Sequence, residues 1–258
     1  MEKTFEVTPL ISMTKTAHFG YKEVDVNDKQ GLVREVFDSV ATNYDLMNDV
    51  LSMGAHRLWK RYTIASSNVK KGDCVLDIAG GTGDLALKFR GKVGNSGQVI
   101  LTDINGAMLE EGRKSLIDNG VFDIGFVQAN AELLPFKDKS FDCVSIAFGL
   151  RNITDKKAAI RQMFRVLKKG GCLLILEFSK VENEMLEKFY DYYSFNVMPK
   201  LGGLFANDEQ SYQYLAESIR KHPNQEDLKA MVIGAGFDLC EYQNLSGGIV
   251  ALHKAVKA

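Results

Sequence analysis

Three aspartates and a run of glycines carry the chemistry that can be read first. Cys74-Val75-Leu76-Asp77-Ile78-Ala79 is a short apolar run, ended by Gly80-Gly81-Thr82-Gly83 just before a helical segment that starts near Asp84. A glycine-rich turn between strand and helix lets a ligand approach the backbone closely and meet the helix N-terminus. Gly81-x-Gly83-x-x-Ala86 satisfies the loose dinucleotide pattern, and Asp103 lies 20 residues beyond Gly83 at the end of the next strand. A carboxylate there accepts hydrogen bonds from the ribose of a nicotinamide dinucleotide or of S-adenosylmethionine equally well. The charges choose between them. Asp77 and Asp84 flank the turn, where two carboxylates suit an ammonium and a sulfonium and repel two phosphates. Each also has a plainer reading: Asp84 as a helix-start charge favoured by the macrodipole, Asp77 as a satisfied strand-end carboxylate.

The elements that must position these groups follow from hydrophobic periodicity. Gln98 to Asp103 reads as a second strand and Asn105 to Ile117 as a second helix. Ile124 to Val127, Phe141 to Phe148 and Cys172 to Phe178 read as three more strands. Ala158 to Leu167 is an amphipathic helix stopped by Gly170-Gly171. Strands apolar on both faces and alternating with helices imply a doubly wound, mostly parallel sheet. Near the end, Asn224 caps a helix from Gln225 to Ile233, and Ser246-Gly247-Gly248 joins two strands, 238–245 and 249–253, as a hairpin. That antiparallel hairpin favours the methyltransferase version of the α/β fold over the dinucleotide version. The expected fold is therefore α/β, Rossmann-like class I methyltransferase, with seven strands. Two additions surround it. Residues 1–65 read as an N-terminal helical cap, and 181–223 as an aromatic insert with Phe189, Tyr190, Tyr192, Tyr193 and Phe195. The cofactor-binding core is 66–180 with 224–258, giving one domain over 1–258.

Composition narrows the function classes. Lys plus Arg is 32 against 33 for Asp plus Glu, a net charge of −1, which disfavours a nucleic-acid binder. No apolar run approaches the roughly 18 residues needed to span a bilayer, and Met1 to Gly20 lack the pattern of a secretory signal. Cys74, Cys143, Cys172 and Cys240 have no zinc-type or disulfide-type spacing, so no metal site is expected and the location reads as cytoplasmic.

Several long stretches resemble the UbiE family of quinone-biosynthesis C-methyltransferases. They include Thr16-Ala17-His18-Phe19-Gly20-Tyr21, Asn43-Tyr44-Asp45-Leu46-Met47-Asn48-Asp49, His56-Arg57-Leu58-Trp59-Lys60-Arg61 and Asp77 to Asp84. Further on come Gln128-Ala129-Asn130-Ala131-Glu132, Phe148-Gly149-Leu150-Arg151-Asn152, Leu176-Glu177-Phe178-Ser179-Lys180 and Tyr214-Leu215-Ala216-Glu217-Ser218-Ile219. The resemblance implies S-adenosylmethionine as cofactor, held by Gly81, Thr82, Gly83, Asp103, Asn130 and Ala131. Thr82 would lie near the methionine portion, Asp103 on the ribose, and Asn130 with Ala131 near the adenine. One departure is Ala147, where many relatives carry serine, so a side-chain hydroxyl contact is lost there.

The resemblance also implies methyl transfer to a ring carbon of a polyprenylated quinol, a 2-methoxy-6-polyprenyl-1,4-benzoquinol or a demethylmenaquinol. A ring carbon becomes nucleophilic only when a neighbouring phenol turns phenolate-like. Arg151 is the first candidate to act on that phenol, because it follows the fourth strand at the carboxyl edge of the sheet. A structural pairing with Asp155 or Glu177 is the competing reading. His56, His222, Tyr44 and Tyr212 are secondary candidates, and the aromatic insert would wall the ring pocket or the tail channel. Expected partners are the quinol, the membrane surface (at its inner face) or a biosynthetic assembly contacted peripherally, and a second copy of the chain; nucleic acid is not expected. Three other readings stand open: a same-fold methyltransferase acting on oxygen or nitrogen, a nicotinamide-dependent oxidoreductase, and a non-catalytic cofactor-binding protein.

Overall fold

A computed structural model describes residues 16–40, 48–49, 52–206 and 208–258. Its centre is a seven-stranded sheet in the order β5-β4-β3-β6-β7-β9-β8. The strands are β3 (Cys74–Ile78), β4 (Gln98–Asp103), β5 (Gly125–Gln128), β6 (Phe141–Ala147), β7 (Leu167–Phe178), β8 (Leu239–Leu245) and β9 (Val250–Val256). β3 to β7 pair in parallel, whereas β9 runs antiparallel to both β7 and β8. The chain order reverses beside β3, so the carboxyl ends of β3, β4 and β6 open onto a crevice, the place where open α/β sheets take ligands.

Alternation along the central strands divides the core into two layers. Val75, Val99, Leu101, Cys143, Leu174 and Leu176 face one side. Leu76, Ile78, Val144, Ile146, Leu173 and Ile175 face the other. On the first side pack α2 (His56–Ser66), α3 (Asp84–Val93) and α4 (Gly106–Asp118), through Trp59, Phe89 and Leu116. On the second pack α5 (Lys156–Val166) and α9 (Gln225–Gly234), through Ile160, Met163, Leu228 and Val232. Both faces are covered, which is why these strands read as unbroken apolar runs. β7 is longer than its apolar run suggests: it begins at Leu167, directly after α5, and passes through Gly170-Gly171.

The first described segment corrects the helical reading of the N-terminal region. It opens with a β-hairpin, β1 (Thr16–Phe19) and β2 (Lys22–Asp25), before α1 (Val26–Val40). The turn is Gly20-Tyr21, with Gly20 at φ +59°, the left-handed start that a two-residue hairpin turn requires. A four-residue pair is marginal alone. Here it docks on α8 (Glu209–Lys221) of the insert: the Phe19 ring stacks on Tyr214 at 4.2 Å, and the Tyr21 backbone N–H donates to Glu217 Oε2 at 3.0 Å. The remainder of the insert is α6 (Glu184–Tyr192), a π-helical turn (Tyr193–Val197) and α7 (Met198–Ala206). No helix among the described residues is long and apolar enough to cross a membrane.

Candidate cofactor and acceptor site

The glycine turn sits where the pattern places it, between β3 and α3. Gly83 caps α3 at φ +82°, and a side chain there would meet Leu116 Cδ1 at 3.0 Å, so both backbone shape and space demand glycine. The turn is also held from outside by a glycine that local pattern did not single out. A Cβ on Gly112 of α4 would lie 2.5 Å from the Gly81 carbonyl oxygen.

Asp103 ends β4 fully engaged with the turn. Gly81 N–H donates to its Oδ2 at 3.1 Å and Asn105 N–H to its Oδ1 at 2.9 Å. Burial pushes its carboxyl up to about 6, against those backbone hydrogen bonds. Beside it a cavity is walled by Ile78, Ile104, Met108 and Ala131, with Asn130 and Asn152 on its rim. Apolar walls around a carboxylate suit an adenosine, whose flat base is apolar on its faces and whose ribose donates hydrogen bonds. Helix α1 closes the other side with Gln30, Val33, Arg34 and Phe37, a single helical face at i, i+3, i+4 and i+7. Two polar contacts fix this helix: Asn105 Nδ2 donates to Asp38 Oδ1 at 2.8 Å, and Ser39 Oγ to Asp208 Oδ2 at 2.5 Å.

A smaller chamber continues past Ala79 and Phe148, lined by Lys60, Asp77, Thr82, Asp84 and Ala147. The structure revises the charge argument here. Asp84 is held by Lys60 Nζ at 2.9 Å and by Lys88. Burial pushes its carboxyl up, but the two lysines outweigh it and bring it down to about 2. Its charge is thus already matched by protein. Asp77 is 1% exposed; Ser145 Oγ donates to its Oδ1 at 2.7 Å, while its Oδ2 has no hydrogen-bond partner. Burial pushes this carboxyl up to about 7. Of the two carboxylates only Asp77 is left for a ligand.

Of the six cofactor residues read from sequence, Gly81, Asp103, Asn130 and Ala131 line the larger cavity and Thr82 the smaller. Gly83 lines neither; it shapes the turn. Ala147 faces the smaller chamber at the end of β6. The nearest serine, Ser145, is buried two residues earlier in the strand and committed to Asp77.

Arg151 lies just after β6, at the carboxyl edge of the sheet as expected, and is paired with Glu177, the partner in the competing reading. It sits in the 3-10 turn Leu150–Asn152 after β6, with a side chain 1% exposed. Its Nη1 donates to Glu177 Oε1 at 2.8 Å and to the Phe148 carbonyl, while its backbone N–H donates to Glu177 Oε2 at 3.2 Å. Gly149 and Asn152 line the cavity; Arg151 itself points behind it, with Nε–H lacking a hydrogen-bond partner. Asp155, the other candidate partner, caps α5 instead. Tyr214 Oη donates to Asn152 Oδ1 at 3.0 Å, which ties the insert to the same turn.

The secondary candidates separate. His56 bonds Asp49 through Nε2 at 2.8 Å, and Tyr212 is buried within the insert, packed on Gly202; Tyr44 lies outside the described residues. His222, at the end of α8, has both ring nitrogens buried without partners, and burial together with Lys156 and Arg151 holds it well below the usual histidine range. Among the described residues no cluster of side chains could hold a metal, and the cysteines are free thiols, three of them buried.

With this geometry in place, comparison with known proteins is informative. Solved structures share the fold at low identity. A [4+2]-cyclase, SpnF, matches with a TM-score of 0.64 at 18% identity over 87% of this chain and 94% of that one. A SAM-dependent methyltransferase from Aquifex aeolicus matches with 0.55 at 16% identity over 77% of this chain and 89% of that one. A cyclase among these neighbours is a reminder that fold does not set the reaction. Sequence relatives are far closer. "Ubiquinone/menaquinone biosynthesis C-methyltransferase UbiE" of Pseudoalteromonas translucida is 62% identical over 244 residues, 94% of this chain and 97% of the relative. The protein of the same name from Legionella pneumophila (strain Corby) is 59% identical over 96% of this chain and the whole of the relative. A sequence model of the ubiE/COQ5 methyltransferase family matches residues 23–257. This chain belongs to the ubiE/COQ5 methyltransferase family and is an S-adenosylmethionine-dependent methyltransferase.

Proposed function

We propose that this enzyme methylates a ring carbon of a polyprenylated quinol, a 2-methoxy-6-polyprenyl-1,4-benzoquinol, a demethylmenaquinol, or both. The observation that carries the reading is the identity of about 60% over nearly full length to relatives named for that reaction. S-adenosylmethionine, when bound, supplies an electrophilic methyl group on a sulfonium. Asp103 would accept from the ribose, Ile78, Ile104, Met108 and Ala131 would hold the base, and the chamber at Asp77 and Thr82 would take the methionyl end. On the acceptor side, the protein must favour a phenolate and exclude water. Arg151 serves this as a buried cation beside the cavity, with Glu177 fixing its orientation and Nε–H among its remaining donors. Helix α1 excludes water from one side of the cavity, and Tyr214 of the insert braces Asn152, which lines it. The quinol reaches the site through peripheral contact with a membrane surface or an assembly, in a cytoplasmic enzyme; a homodimer is part of the same proposal.

The test is direct. Purified enzyme, methyl donor and short-tailed acceptors of both quinol types are incubated under reducing conditions, and products are read by mass spectrometry. A methylated quinol formed in step with S-adenosylhomocysteine is the expected result; no methylated product from either acceptor contradicts the reading.

A further inference from the structure

Lys60 is a buried cation that the reaction outlined above does not use. It lies on the inward face of α2 with His56, Trp59, Thr63 and Ile64. The neighbouring Trp59 fixes that face. Its ring meets Phe148 and Phe178 at 6.1 and 6.2 Å, and its Nε1–H donates to Ser246 Oγ at 2.9 Å. The Lys60 side chain is 8% exposed and ends in the smaller chamber, on Asp84 Oδ2.

Pairing with Asp84 does not account for it. Lys88, one turn along α3 from Asp84, already engages Asp84 Oδ1 from a more exposed position. Two lysines on one carboxylate leave a surplus positive charge, and the lysine aimed into the chamber is the buried one. Burying an ammonium costs several kcal/mol unless charged or polar partners compensate it. Across the chamber the unpartnered Asp77 Oδ2 is an acceptor of opposite character. Beside Asp77 the chamber wall has no room for a side chain, since a Cβ on Gly80 would lie 3.0 Å from Asp77 Oδ2 and 2.8 Å from Leu101 Cγ. A cation and an acceptor facing one small chamber match a ligand that is itself a zwitterion.

We propose that the chamber is an α-amino-acid clamp in which Lys60 binds the carboxylate of the cofactor's methionyl tail and Asp77 accepts from its ammonium group. This rests on the cofactor reading above and adds to it the residue that recognises the carboxylate. Specificity follows: an adenosine thioether without the amino-acid end fills only the larger cavity.

Titration calorimetry with three ligands tests the clamp: S-adenosylhomocysteine, its decarboxylated analogue 5′-deoxy-5′-(3-aminopropylthio)adenosine, and 5′-methylthioadenosine. Wild-type protein is expected to bind S-adenosylhomocysteine about tenfold or more tighter than the decarboxylated analogue, as for loss of a charge-assisted pair. Lys60→Met should weaken S-adenosylhomocysteine by a similar factor, abolish the preference over the analogue, and leave methylthioadenosine within about twofold. Equal loss of all three ligands in Lys60→Met assigns Lys60 a purely structural role and overturns the proposal. So does a wild-type protein that binds the analogue and S-adenosylhomocysteine alike, a comparison that needs no variant to fold. Failure of the wild type to bind any of the three overturns the cofactor reading itself, and the clamp with it.

Discussion

Two regions of the molecule satisfy their buried polar groups differently. Around Asp103, polar groups are satisfied largely by backbone close in sequence or one strand away: Asp103 by Gly81 and Asn105, the Asn130 side chain by Glu132 N–H. Around Arg151 and the insert, polar groups come from distant segments and several are unsatisfied. Arg151 finds Glu177 across 26 residues and leaves Nε–H unpaired, while His222 and Tyr190 are buried without partners of normal hydrogen-bond geometry. Burial raises the Tyr190 phenol well above its usual value. A self-satisfied pocket is preorganised before its ligand arrives. A pocket with buried unpaired donors and acceptors bears a desolvation cost that a polar ligand relieves.

The sharpest way to break this contrast is at the Arg151–Glu177 pair. Both side chains are 1% exposed, so Glu177→Gln strands a buried cation and should cost about 3–5 kcal/mol in urea denaturation. The Arg151→Met, Glu177→Gln double variant should recover most of that stability but show no turnover. Recovery of both would make the pair purely structural. On the cofactor side, Asp103→Ala should weaken S-adenosylhomocysteine about a hundredfold by calorimetry, through loss of the ribose acceptor and of the two backbone bonds that set the turn. An unchanged affinity would remove Asp103 from the site.

Smaller effects sharpen the comparison. A carboxyl whose folded pKa lies above its unfolded value holds its proton more tightly when folded. Its contribution is therefore most favourable at low pH and declines as pH rises through the unfolded and then the folded pKa. Asp77, raised from 3.8 to about 7, and Asp103, raised to about 6, both act this way. Between about pH 6 and 7 chiefly Asp77 still titrates. Asp77→Asn should therefore gain about 1 kcal/mol relative to wild type across that interval, in denaturant melts of the ligand-free protein. A stability difference independent of pH would contradict the raised carboxyl. Ala147→Ser, which restores a hydroxyl at the chamber edge, should change cofactor affinity by less than about threefold. A larger gain would show that the hydroxyl at this position is a principal contact.

The same division explains what was legible in sequence. The parallel strands, the glycine turn, Asp103, and the caps at Asn105 and Asn224 depend on local spacing and on burial of both sheet faces, so period and turn chemistry suffice to place them. Local pattern does not reveal the β1–β2 hairpin, because its stability comes from Phe19 on Tyr214 and Tyr21 on Glu217, nearly two hundred residues away. Lys60 and Gly112 act through the same kind of distant contact, and nothing in their immediate neighbours marks them. The face Gln30, Val33, Arg34 and Phe37 was discoverable, since its helical spacing is plain; only the cavity beneath it was not. Arg151 shows the converse: its place at the strand end was legible, but its direction was decided by a glutamate on the next strand.

The central claim is carbon methylation of a quinol, and one measurement addresses it most directly. Enzyme is supplied with a donor carrying a carbon-13 methyl group and a short-tailed demethylquinol, and the product is examined by carbon NMR. The account predicts that the label appears as a methyl group on a ring carbon. A label at the shift of a methoxy carbon, or no transfer to the quinol, would contradict it.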